Sequence, residues 1–176
     1  MAPGSPAWTA PDAVVIAVLA AGLGSAAAID VRSRRVPNQV SLATAAAGIA
    51  LAASGASGVT VGASLLGFVV GLLLMLPGHV LGATGAGDVK LFAAAGAVMG
   101  VGRVFEAFVL VAIAGGVLAL GIACRRGRLR RTLAHLAQLC GRPAEARKSI
   151  ESAVEHNRFP YAPAVAAGCL LAALRW

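Results

Sequence analysis

The sequence predicts an all-α, polytopic membrane protein, a bundle of about six transmembrane helices with both termini outside. Three observations carry that expectation. The chain of 176 residues is 59% hydrophobic and 12% charged, with a mean hydropathy of +0.83, well beyond what a water-soluble domain of this size needs. Residues 36–87 contain no Asp, Glu, Lys or Arg, enough apolar chain for two spans of roughly 20 residues and a turn. The basic residues are bunched, with Arg32, Arg34 and Arg35 in one connection and Arg125, Arg126, Arg128, Arg130 and Arg131 in another. In a soluble protein such clusters point to nucleic acid. Beside apolar spans they are cytoplasmic loops held by the positive-inside rule, and no nucleic-acid partner is expected.

The elements follow in order. Residues 1–12 form a Pro- and Ser-containing tail without the positive n-region of a secretory signal, so the first apolar run, 13–29, is expected to be retained as a span. Pro37-Asn38 is a turn that stops one helix and starts the next, and the second span covers 39–53. The third covers 59–81 and the fourth 88–102, bounded by Lys90 and Arg103. A re-entrant fourth segment would put the two basic connections on opposite sides, so the positive-inside rule favours six spans. The fifth covers 107–124 and the sixth 159–174, with Trp8 and Trp176 at the outer interface. Several spans fall short of roughly 20 residues and must borrow polar flanks or sit in thinned bilayer.

Small residues four apart, at Gly67 and Gly71, Gly78 and Gly82, and Gly96 and Gly100, let helix backbones approach closely and predict a compact bundle. Residues 125–158 are mixed in charge, with Leu129, Leu133 and Leu136 at helical spacing. They form a basic cytoplasmic loop of a single domain spanning 1–176, with a surface helix on anionic lipid.

Seven carboxylates exist: Asp12, Asp30, Asp88, Glu106, Glu145, Glu151 and Glu155. The last three belong to the 125–158 loop, and Asp12 and Glu106 lie near outer span ends as solvated charges. Asp30 and Asp88 remain. An ionisable group at membrane depth costs at least ~2.5 kcal/mol and is a functional candidate for that reason. Asp30 ends the first span and Asp88 opens the fourth, so alternating spans bring both to one cytoplasmic depth. Two adjacent carboxyl groups can share a proton, one activating water and the other protonating an amide leaving group. The plainer alternatives are that Asp88 caps its helix and that Asp30 pairs with Arg32 or Arg34.

Around Asp88, Gly85 and Gly87 permit positive φ or close backbone approach. Lys90 either orients a carboxylate or anchors at the interface, and His79 is interfacial. Cys124, Cys140 and Cys169 form no C-x-x-C pair, so no metal, disulfide or other cofactor is expected. Two rival functions use the same features: a transport pathway with the acids as a relay, and an assembly factor whose basic loops bind lipid or a partner. Against the first, the two acids lie at one membrane edge rather than the midplane.

Asp30-Val31-Arg32-Ser33-Arg34-Arg35-Val36-Pro37-Asn38 resembles the aspartate, basic run and hydrophobic-Pro-Asn signature of bacterial type IV-like prepilin peptidases. Gly85-Ala86-Gly87-Asp88-Val89-Lys90-Leu91 is similar to their G-x-G-D motif with its following lysine, and Phe159-Pro160-Tyr161-Ala162-Pro163-Ala164 to the Pro-Tyr segment entering their last span. The resemblance implies an integral membrane aspartic endopeptidase of the bacterial inner membrane that removes the short basic leader of a prepilin at the cytoplasmic face. It implies Asp30 and Asp88 as the catalytic pair, with Pro37, Asn38, Gly85, Gly87 and Lys90 supporting. The paired C-x-x-C insertion of the longer, methylating members is missing here. The chain therefore resembles the short, peptidase-only members serving tight-adherence, Flp-type pili, with neither methyltransferase activity nor zinc expected. The basic 125–158 loop departs from the family pattern.

Overall fold

The computed structural model describes residues 10–80, 84–125 and 161–175, and these are helical apart from short connections. Six helices are present among them: α1 (Ala10–Ser33), α2 (Asn38–Ser54), α3 (Val61–Val80), α4 (Ala86–Met99), α5 (Val101–Arg125) and α6 (Ala162–Leu174). Trp8, Gly82, Cys140, Trp176 and nearly all of the basic 125–158 segment, with its expected surface helix, lie outside the described residues.

The chain's composition sorts the helices by position. Three stretches, Asp12–Ser33, Val61–Val80 and Val101–Gly121, are long and apolar enough to cross a membrane. The helices that contain them are peripheral: α3 exposes Leu65, Leu66, Val69, Leu73 and Leu76, and α5 exposes Phe105, Val109, Ile113, Val117 and Leu120. An exterior of large aliphatic side chains would be costly in water but suits lipid, which is as apolar as leucine. The short α4 is the interior element, with every residue from Leu91 to Gly100 buried. Its run of Ala and Gly gives it a thin cross-section, so α3 and α2 pack against its backbone.

Two of the three expected glycine pairs meet one another. A Cβ added at Gly67 would overlap the Gly96 carbonyl oxygen and lie 2.9 Å from the Gly100 carbonyl carbon, and one at Gly71 would lie 3.2 Å from Ala93 Cα. The α3–α4 crossing is thus backbone against backbone, and Ser64 Oγ ties it by donating to the Ala97 carbonyl at 2.7 Å.

The boundary between the fourth and fifth elements differs from expectation. Gly100 alone, at φ 74°, separates α4 from α5, so α5 begins at Val101 and Arg103 and Glu106 lie inside it. The charges do not mark a loop because they fall at a helix end where partners reach them: exposed Glu106 sits 3.7 Å from Arg175. Asp12, expected to be solvated, is buried instead and has an interaction partner.

Successive helices alternate in direction. Glu106 opposite Arg175, Val111 against Gly168 and Gly115 against Tyr161 make α5 and α6 antiparallel. Consequently α1 ends, α2 begins, α3 ends, α4 begins, α5 ends and α6 begins at one end of the bundle, where Asp30 and Asp88 also lie.

Candidate active site

Asp30 lies in the last turn of α1 and is 5% exposed. The helix stops just beyond it because Arg34 turns left-handed at φ 52°, while its N–H still donates to the Asp30 carbonyl at 2.7 Å. Left-handed backbone costs a non-glycine residue roughly 1–2 kcal/mol. The chain then runs extended into Pro37, the N-cap of α2 at φ −65° and ψ 134°, as the Pro-Asn turn predicts. Arg32, Arg34 and Arg35 are exposed and make no ion pair with Asp30; the simple pairing alternative fails.

Asp88 is the third residue of α4 and is 7% exposed. Gly85, the N-cap, donates its N–H to Asp88 Oδ2 at 3.2 Å, one half of a capping box, since glycine has no side chain to return the bond. The capping alternative therefore accounts for one carboxylate oxygen only. Oδ1 is buried with no hydrogen-bond partner among the described residues. Such a group is costly to leave unpaired, and a functional site is one place where it is retained.

The two motif glycines serve close approach, not positive φ. Gly85 has an ordinary φ of −75° and Gly87 is helical. A Cβ on Gly87 would stand 2.9 Å from Val36 Cβ, so the start of α4 lies directly on the segment between Asp30 and Pro37. Lys90 Nζ donates to Asn38 Oδ1 at 3.1 Å, joining the same two segments a turn further on. Lys90 thus serves an amide of the other motif rather than a carboxylate. His79, exposed, hydrogen-bonds through Nδ1 to the Thr84 carbonyl at 3.0 Å and ties the end of α3 to the start of the Gly85 turn.

A third segment closes the site. The first amide of α6, Ala162 N–H, donates to Asp30 Oδ2 at 3.3 Å in a buried bond, which also brings the favourable N-terminal end of a helix to a carboxylate.

A sequence model of the type IV leader peptidase family matches residues 17–120. The chain belongs to this family. No curated protein and no solved structure matches the chain significantly. Membership indicates a peptidase acting on a prepilin-type leader, and the matched region contains both Asp30 and Asp88 but stops short of α6.

In this leader peptidase the described motif residues come to one end of the bundle, while Phe159 and Pro160 lie outside the described residues. Pro37 and Asn38 open α2, Gly85 and Gly87 seat α4, and Lys90 bridges to Asn38. The Pro-Tyr motif contains Ala162, but the sequence did not disclose its role, because its contribution is a backbone N–H. It also missed Ser41 and Thr84, whose hydroxyl oxygens join Asp88 Oδ1 as the buried polar atoms without partners among the described residues. Ser41 lies one turn into α2 beyond Asn38, and Thr84 immediately precedes Gly85. A usable signal for Ser41 is its place on the stripe Ser41, Thr44, Ala45, Gly48, Ala52, the buried face of α2.

Proposed function

We propose that this leader peptidase is an aspartic endopeptidase, a single six-span domain of the bacterial inner membrane. It removes the basic leader of a type IV-like, Flp-type prepilin at the cytoplasmic face. The carrying observation is that two buried carboxylates lie at one end of the bundle, on segments that touch where Gly87 meets Val36, and that Asp88 Oδ1 is buried with no hydrogen-bond partner among the described residues. Hydrolysis needs both carboxylates. One carboxylate removes a proton from a water molecule as its oxygen attacks the scissile carbonyl, giving a tetrahedral oxyanion. The other carboxyl group protonates the amide nitrogen as the C–N bond breaks, leaving a new carboxyl terminus on the leader and a free amine on the pilin. Burial sharpens the chemistry, since water-poor surroundings strengthen each electrostatic contact.

The membrane reading rests on the apolar exterior and the alternation of six helices. The short α2, α4 and α6 are helped across by their polar ends and by peripheral neighbours that face the lipid. Arg32, Arg34, Arg35 and Arg125 all fall at the carboxylate end, which the positive-inside rule assigns to the cytoplasm, with both termini outside. Anionic headgroups at that face would neutralise these arginines and admit a basic leader. Lacking paired C-x-x-C motifs, the chain is assigned peptidase activity alone, without methyl transfer.

Co-expression with a candidate Flp-type prepilin tests this. The expected outcome is conversion of precursor to a faster-migrating pilin whose new N-terminus lies just after the basic leader. Precursor that stays full length beside membrane-inserted enzyme would contradict the proposal.

A further inference from the structure

The amide that meets Asp30 depends on where α6 begins. Its first turn leaves no spare donor: Ala162 N–H goes to Asp30, Pro163 has no N–H, and Ala164 and Val165 both donate to the Tyr161 carbonyl, at 2.9 and 3.2 Å. A shift of residues 161 and 162 therefore moves Asp30's only donor among the described residues, with nothing to replace it.

Two glycine slots of opposite sense hold that start in register on α5. Gly168 of α6 lies so close to α5 that an added Cβ would be 2.5 Å from both Val111 N and Val111 Cγ2. One turn along the same face of α5, Gly115 receives the half-buried Tyr161 ring: a Cβ there would be 2.5 Å from Tyr161 Cε2 and from its hydroxyl oxygen. Tyr161, the N-cap of α6 with helical backbone angles of φ −90° and ψ −20°, precedes Gly168 by seven residues, two helical turns, so both contacts lie on one side of the helix. The ring also packs on the apolar core, and no hydrogen bond of its hydroxyl occurs among the described residues.

We infer that Tyr161 and Gly115 are positioning residues of the peptidase: the ring, seated in the slot that Gly115 leaves on α5, fixes the first residue of α6 so that the Ala162 amide holds the Asp30 carboxylate beside Asp88. The inference rests on the proposed pairing of Asp30 with Asp88. It assigns the ring, not the hydroxyl, as the working part, and gives a function to a glycine that neither aspartate motif contains.

The test is cleavage kinetics of the full-length protein in detergent with a synthetic prepilin peptide. Tyr161→Ala empties the slot, and Gly115→Val pushes the ring out of it. Each is expected to lower kcat at least about tenfold while leaving KM within about twofold, because sub-ångström misplacement of a reacting group acts on the chemical step. Tyr161→Phe keeps the ring and recovers most of the kcat lost in Tyr161→Ala. The double variant Tyr161→Ala with Gly115→Val loses less than the product of the two single losses, since valine occupies the vacated space. Tyr161→Leu keeps apolar bulk without the planar ring; it is expected to reach the membrane in normal amount yet remain slow, which separates mispositioning from failure to fold. A wild-type kcat in Tyr161→Ala or in Tyr161→Leu would overturn the inference, as would a Tyr161→Phe variant as slow as Tyr161→Ala. Asp30→Asn in the same assay tests the underlying reading: full activity there would overturn the catalytic pair itself, whatever the Tyr161 variants do.

Discussion

Replacing Gly87 by alanine places one carbon between the two aspartate-bearing segments. The added Cβ would stand 2.9 Å from Val36 Cβ, while its distances of 3.5 Å to Val36 Cγ2 and to the Val36 carbonyl oxygen are ordinary contacts. Carbon pairs settle at about 3.5–4.0 Å, so the start of α4 must move away from the 34–37 turn by roughly 0.6 Å or more. Overpacking of this kind costs about 1–3 kcal/mol of stability. The effect on rate is expected to be larger, because Asp88 follows Gly87 directly and a displacement near 1 Å can cost about a hundredfold. We expect Gly87→Ala to slow prepilin cleavage by about ten- to a hundredfold while the protein still accumulates in the membrane. The clash involves Val36 Cβ itself, so Val36→Ala leaves it in place and only Val36→Gly relieves it. Cleavage rates of the two double variants should therefore differ, with the Val36→Gly background partly restored. A wild-type rate for Gly87→Ala, or equal rescue by Val36→Ala, would refute the contact as the reason for glycine.

Other perturbations bear on other parts of the account. Gly67→Leu drives a side chain into the Gly96 carbonyl at the α3–α4 crossing; a loss of at least about 1–3 kcal/mol is expected, visible as a lowered thermal midpoint in detergent. A reporter fused after Trp176 should be active outside the cytoplasm and one inserted near Arg142 inside it, and the reverse pattern would contradict the orientation. EDTA and thiol reagents should leave cleavage unchanged. No three His, Cys, Asp or Glu among the described residues are placed to share a metal, and Cys169 is buried while Cys124 is exposed at the end of α5.

The parts legible in the sequence were those set by local rules and counting. Alternating helices put Asp30 and Asp88 at one end, and the glycine pairs predicted close helix packing, which the structure shows where Gly67 and Gly71 meet Ala93, Gly96 and Gly100. The Pro37-Asn38 turn was equally local, since proline ends one helix and pre-sets the backbone for the next. What could not be read depended on partners distant in sequence. Glu106 and Arg103 look like a helix boundary until Arg175, far along the chain, is seen beside Glu106. The donor to Asp30 is a backbone amide 132 positions away, and an amide has no sequence signature. Lys90 carried two readings because its partner, Asn38, belongs to the other motif. The motif glycines allowed either positive φ or close backbone approach, and the structure shows the second at Gly87, whose neighbour Val36 lies in the other motif.

The most direct test of the central claim is cleavage of a co-expressed prepilin by Asp30→Asn and by Asp88→Asn, each compared with Glu106→Gln. Asparagine preserves shape but can neither accept nor supply the proton that hydrolysis moves. Glu106 loses only an exposed contact with Arg175, worth at most about 1 kcal/mol. Both aspartate variants are expected to accumulate in the membrane and leave the precursor uncleaved, while Glu106→Gln processes it normally. Mature pilin from either aspartate variant at the wild-type rate would contradict the assignment of Asp30 and Asp88 as the catalytic pair.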